Sequence, residues 1–230
     1  MQKLLLIYGG SRIGDTLHML PYIYAHKNYE ITWISGTYEK DAVEFIQQNY
    51  PNIVETKFID DKLPMTIDDR IRFALSVKDS LSANYLKTFD KVENDIHISL
   101  DYADSKHQYY DPSVDYLPKV PFIDSSPYTC YHCDSISKWK YKNLDQYVFP
   151  GIPGYTIGKY HERGVTGTAD KTCASMMGSA TLIRNSILFI GIHSSMMCLN
   201  MYLNHPGLCI HFAKKLLRFS QYCNKIIDIM

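Results

Sequence analysis

The stretch "IYGGSRIGDTLHMLP", residues 7 to 21, sets an acid, Asp15, directly after Gly14 and behind a short aliphatic run. A strand that runs through glycines into a helix is the layout of a phosphate cradle, but a dinucleotide-binding turn spaces its glycines as G-x-G-x-x-G. Here the order is Gly9, Gly10, three other residues and Gly14. A carboxylate at the helix start also competes with a phosphate for the same N–H groups, a charge that Arg12 can offset. Two roles fit Asp15. It is an N-cap, or it is a general base held by backbone donors and aimed at a hydroxyl. His18, on the same helix, is either a packing residue or part of the surface that this base would serve.

A second segment, "SILFIGIHSSMMCLN" at residues 186 to 200, has a different chemistry. A buried strand ends near Gly191, and His193, Ser194, Ser195 and Met196 lead into a helix with no acid in its first turn. That end can take a phosphate. The serines supply hydroxyls, the first-turn N–H groups supply donors, and the helix dipole adds about 0.3–1 kcal/mol for an anion. The alternative is an ordinary serine cap. A third segment, "CDSISKWKYKNLD" at residues 133 to 145, follows a strand and holds three lysines, a tryptophan and two serines. It reads as a solvated basic loop or, with Ser135, Lys138 and Lys140, as a second anion-binding element.

Other chemistries are excluded or disfavoured. Cationic and anionic residues balance at 24 each, so the chain lacks the net positive charge of a non-specific nucleic-acid binder. The opening "MQKLLLIYGG" is far too short in apolar residues to span a bilayer or to serve as a signal peptide. The six cysteines are irregularly spaced, mostly within apolar runs such as "GLCIHF", and read as reduced thiols packed as small hydrophobes. A cytoplasmic chain is the expectation. Cys130 and Cys133 form a C-x-x-C, but residues three apart on a strand face opposite sides and no second pair completes a zinc site. No metal is expected. His193 beside Ser194 is no triad, because no G-x-S-x-G elbow is present.

These residues need a scaffold, and the rhythm is βα throughout. "KLLLIY", "EITWIS", "ETKFID" and "NDIHISL" read as strands, alternating with helices over "DTLHMLPYIYAHK", "YEKDAVEFIQQNY" and "TIDDRIRFALSVKDSLSANYLK". From Asp101 to Pro127 the periodicity is lost and four prolines appear, which marks a crossing segment. The rhythm then resumes with strands at "YTCYHC", "YTIGKY", "SILFIGI" and "GLCIHF" and helices at "KTCASMMGSATLIRN" and "SMMCLNMYLN". The expected class is α/β, with two Rossmann-like lobes, residues 1–115 and 116–230, facing each other across a cleft where the carboxyl ends of the strands bind ligands.

With these pieces in order, the chain resembles the heptosyltransferase-like family (family 9) of GT-B glycosyltransferases. "LLLIYGGSRIGDTLHMLP" is similar to that family's amino-terminal motif in Gly14, Asp15 and Pro21. "GIHSSMMCLNMYLNHPG" is similar to its carboxy-lobe motif, Gly-x-Asp-Ser-Gly-x-x-His-Leu-Ala followed by proline, in Gly191, Ser194, Leu199 and Pro206. It departs from that motif at His193, Ser195 and Cys198, which stand where the family has Asp, Gly and His. The loop around Trp139 resembles the family's segment of small hydroxyl residues followed by lysine.

The resemblance implies metal-independent, inverting transfer from a nucleotide-diphosphate sugar, with no cofactor beyond that donor. Asp15 would be the base, and Gly10, Arg12, Gly14 and His18 would line the acceptor side. Ser135, Lys138 or Lys140, Glu162 near the ribose, and Gly191, His193, Ser194, Ser195 and Met196 would hold the donor. The acceptor would be a saccharide or a hydroxylated base in DNA. The altered second motif leaves a different reading open, a non-catalytic protein that binds a nucleotide or nucleotide sugar.

Overall fold

Strand β1 (Gln2–Ile7) starts almost at the first residue, and its run Leu4, Leu5, Leu6 and Ile7 is fully buried, as a central parallel strand requires. The computed structural model describes residues 1–8, 13–60, 67–94, 109–133, 143–157, 165–171, 173, 175–211 and 219–229. The chain forms two compact units, Met1–Tyr110 and Asp111–Met230.

In the first unit, β2 (Tyr29–Gly36) pairs parallel with β1, with Leu4 opposite Ile31 and Ile7 opposite Ile34. β3 (Ile53–Ile59) lies outside β2 and β4 (Lys91–Glu93) on the far side of β1, giving the order β3-β2-β1-β4. The expected helix after the glycines is two short ones, α1 (Ile13–Leu17) and α2 (Leu20–Ala25). Pro21, which has no N–H and whose ring would clash with the carbonyl four residues back, sits in the first turn of the second. α3 (Lys40–Asn49) follows a 3-10 turn over Thr37–Glu39.

The long helix expected over residues 66–87 also divides, into α4 (Ile67–Ser80) and α5 (Ala83–Leu86). The Ser82 hydroxyl accepts from the Tyr85 N–H at 3.2 Å, so a local cap wins over continued periodicity. α4 lays Phe73, Ala74 and Val77 against Leu5, Ile7 and Ile34 of the sheet. Of the strand expected at residues 94–100, all but Asn94 lies outside the described residues, and β4 just before it provides the partner to β1.

The second unit begins with irregular chain that is nonetheless fastened to it. The Tyr116 N–H donates to the Tyr202 carbonyl at 3.0 Å, and Arg184 reaches both Asp115 and the Leu117 carbonyl at 2.8 Å. Asp111 to Asp115 therefore belong to the second unit, whereas composition places the boundary near residue 115. The elements that follow are β5 (Thr129–His132), β6 (Gly154–Thr156), β7 (Ala169–Asp170), α6 (Met176–Asn185), β8 (Leu188–Ile192), α7 (Ser195–Tyr202), β9 (Gly207–Ile210) and β10 (Ile226–Ile229).

Their parallel sheet runs β10-β9-β8-β5-β6-β7. Renumbered within the unit and read from the β7 edge, this is 3-2-1-4-5-6, the doubly wound dinucleotide-fold order. The tail, whose destination the sequence leaves open, adds β10 to this second sheet. No described helix is long and apolar enough to cross a membrane.

One half-buried histidine gives this unit a pH dependence. His205, whose Nε2 lies 3.1 Å from the Ser186 hydroxyl, has its pKa pushed down to about 4 by burial first and then by Lys225 and Arg184. In the unfolded chain it titrates near 6.5, so as pH falls from about 6.5 to 4 the unfolded state takes up the proton first. The expected result is a loss of roughly 3 kcal/mol of stability across that window. Urea titrations of wild type and His205→Gln should converge as pH falls, because only the wild type carries this term. Parallel pH profiles for the two would show that the ring contributes none of it.

Candidate functional site

Each unit places polar side chains at the carboxyl ends of its strands. In the first, Asp15 lies inside the first turn of α1, two residues past its start, and is 8 % exposed. The Nη2 of Arg70, from α4, donates to its Oδ2 at 2.9 Å, with both side chains largely shielded from solvent. Tyr8, just past β1, donates its hydroxyl to the Asp15 carbonyl at 3.2 Å. A second carboxylate, Glu39, is almost fully buried and accepts from the Thr16 hydroxyl on one oxygen and from the Ser35 hydroxyl at 2.7 Å on the other.

Burial, together with the charges of Asp15 and Glu39, holds the Tyr8 phenol well above its ordinary pKa against the opposing pull of Arg70. Tyr8 therefore stays a neutral donor. The cluster is a pinned carboxylate with a guanidinium against one of its oxygens, a geometry suited to receiving a proton from a hydroxyl that docks beside it.

His18 is buried, and its backbone N–H donates to the carbonyls of Gly14 and Asp15, so the two described residues expected on the acceptor side, Gly14 and His18, belong to the same turn as the acid. Gly10 and Arg12 lie outside the described residues. Arg70, Glu39 and Tyr8 escaped the sequence reading. Tyr8 had a usable signal, its place at the end of the first strand; Arg70 looks like any cation in "DDRIRF" until α4 folds across the sheet.

In the second unit the strand order reverses between β5 and β8, the position where open α/β sheets bind ligands. Gly191 sits there near the end of β8. A Cβ on it would lie 2.8 Å from the Phe189 ring and 3.3 Å from the His132 carbonyl, so only glycine lets the chain pass this closely. Ser194 is the N-cap of α7 in extended backbone, yet its hydroxyl makes no cap hydrogen bond. It meets His132 Nδ1, at the end of β5, across 3.1 Å in a buried setting.

α6 is the contrast, because its cap Ser175 accepts from the Gly178 N–H at 3.1 Å. At α7 the cap serine bridges two strands instead, and the first turn, with no acidic side chain, presents its N–H groups for an acceptor. Ser195 is half-buried; Met196 buries its side chain and offers only its main chain. The half-buried His193 ring packs 5.1 Å from that of Phe219. His132 is the residue of this group that sequence reasoning missed, although it ends the first strand of its lobe.

Ser135, Lys138, Lys140 and Glu162 lie outside the described residues. Cys130 is buried on β5 with its thiol directed to the Leu182 carbonyl at 3.4 Å.

No protein-family model and no curated protein matches the sequence. Solved structures match its fold. Heptosyltransferase WaaC of E. coli, solved with ADP, gives a TM-score of 0.63 at 11 % identity over 99 % of this chain and 92 % of that one. A family 9 glycosyl transferase from Veillonella parvula gives 0.60 at 10 % identity, covering 99 % and 85 %. The ADP-heptose lipopolysaccharide heptosyltransferase II of E. coli gives 0.57 at 13 %, covering 99 % and 90 %. With two parallel α/β units, the second in the dinucleotide-fold order, the chain has the GT-B fold of the family 9 heptosyltransferases.

Proposed function

We propose that this protein is an inverting glycosyltransferase that moves a sugar from a nucleotide-diphosphate donor to an acceptor hydroxyl. The observation that carries the reading is the start of α7. Its cap hydroxyl is committed to His132, its first turn holds no acid, and it lies where the strand order reverses. That is a diphosphate site by its chemistry, and structures of the same fold hold ADP and an ADP-heptose analogue.

In this reading the N–H groups of Ser195 and Met196 and a lysine, Lys138 or Lys140, stabilise the departing nucleoside diphosphate. Asp15, held by Arg70, takes the acceptor proton as the acceptor oxygen bonds to the anomeric carbon and the bond to the diphosphate breaks on the opposite face. Neutralising the leaving group in this way requires no metal ion. The even charge balance favours a saccharide acceptor over DNA.

The test is to incubate the protein with ADP-, GDP-, UDP- and dTDP-linked sugars, with and without saccharide or hydroxymethylated-DNA acceptors. Release of nucleoside diphosphate is measured, and the anomeric configuration of any product is read by NMR. Turnover with inversion is expected. Binding of a nucleotide sugar with no hydrolysis or transfer would establish a sequestering protein instead, and failure to bind any of the four would remove the donor-site reading.

A further inference from the structure

Cys209 on β9, His211 two residues later and Asp228 on β10 converge at the far side of the second sheet. Asp228 is the register partner of Cys209, and residues two apart on a strand share a face, so all three side chains project to the same side. Their ligand atoms lie within 4.8 Å of one another, and all three side chains are shielded from solvent. His211 Nε2 and Asp228 Oδ1 are 2.6 Å apart. The Asp228 carboxylate also accepts from the N–H groups of Phe219 at 3.2 Å and Ser220 at 2.8 Å. A proton shared between His211 Nε2 and the Asp228 carboxylate therefore occupies part of the space between the three groups.

We propose that Cys209, His211 and Asp228 form a binding site for one divalent transition-metal ion, with zinc the best-suited ion. Thiolate, imidazole and carboxylate are its three usual protein ligands, and together with one water they complete a tetrahedron. Zinc bonds of about 2.0–2.3 Å place ligand atoms roughly 3.5 Å apart. The present cluster reaches that spacing if the His211–Asp228 pair opens by about 1 Å while the thiol closes in.

The charges also match. A thiolate and a carboxylate cancel the two positive charges of the ion, so the loaded cluster is neutral, as a buried site requires. Loading moves the thiol proton of Cys209 to solvent and displaces the Nε2 proton of His211 to Nδ1 or to solvent, so that Nε2 can donate its lone pair. The Phe219 and Ser220 N–H groups already hold the Asp228 carboxylate in place, the outer-sphere support that metal carboxylates need. The ion would clamp the edge strand β10 to β9. This inference stands apart from the transferase reading.

The test uses the full chain after treatment with a chelator, titrated with Co²⁺ and then with Zn²⁺. One Co²⁺ per chain is expected, with a thiolate-to-cobalt charge-transfer band in the near ultraviolet, at least one proton released, and displacement by Zn²⁺. Cys209→Ser should abolish the band, Asp228→Asn should weaken affinity at least about tenfold, and Cys173→Ser should change neither. X-ray absorption of the wild-type zinc form needs no variant to fold, and should report one sulfur with nitrogen and oxygen neighbours. Absence of stoichiometric uptake by wild type, two or more sulfurs around zinc, or a band that survives Cys209→Ser would overturn the proposal.

Discussion

Asp15→Asn is expected to lower kcat by about 10²- to 10⁴-fold, the usual contribution of a positioned general base, while leaving nucleotide-sugar affinity within about twofold of wild type. Asparagine keeps the shape of the side chain and an oxygen that accepts from Arg70, so the packing around α1 is preserved. What disappears is the capacity to take a proton. Donor affinity should be spared because the proposed anion-binding groups, the N–H groups of Ser195 and Met196, belong to the second unit. Single-turnover rates and calorimetric binding of the donor identified in the substrate panel measure the two quantities separately. Retained turnover in Asp15→Asn would remove the carboxylate from the chemistry, and lost donor binding with retained turnover would reverse the assignment of the two units. Arg70→Leu should also slow the reaction by a smaller factor, because it frees the carboxylate without removing it.

The second large effect is expected at the other end of the chemistry. Ser195→Asp places a carboxylate in the first turn of α7, where the proposed diphosphate binds. At about 4 Å and an effective dielectric constant near 20, two unit charges repel by about 4 kcal/mol. With solvent screening at a half-buried position, about 2 kcal/mol survives, roughly a thirtyfold loss of affinity for the nucleotide sugar. The same carboxylate favours the helix itself, by about 0.3–1 kcal/mol, because it sits at the positive end of the helix dipole. Thermal stability should therefore hold or rise while binding falls. An unchanged dissociation constant would show that the phosphates do not approach this turn. A matching loss of stability would show that Ser195 is needed for packing instead.

Elements governed by local pattern were legible. "LLLI" in β1 and "LFIGI" in β8 are apolar runs bounded by turns, and they fold as the central strands that such runs specify. The serines opening α7 after such a strand mark a helix start, and the structure has one. Where two local preferences compete, the reading failed. The helical periodicity of "SVKDSLSANYLK" continues across Ser82, but the Ser82 hydroxyl captures an N–H and divides the helix. β10 escaped because "IIDI" carries an acid at a buried position, which looks like loop until His211 and the Ser220 N–H are found beside it.

The kinds of group available were thus set by the chain alone: an acid after Gly14, hydroxyls at a helix start, aliphatic strands to carry both, and a charge balance that disfavours nucleic acid. Partnership was decided by folding. Asp15 meets Arg70 across 55 residues, Ser194 meets His132 across 62, and His211 meets Asp228 across 17. Periodicity and capping act within a turn or two of the chain, whereas pairing of charges depends on which strands become neighbours in the sheet. That neighbour relation is why the Ser194 hydroxyl meets His132 and makes no cap hydrogen bond to its own helix.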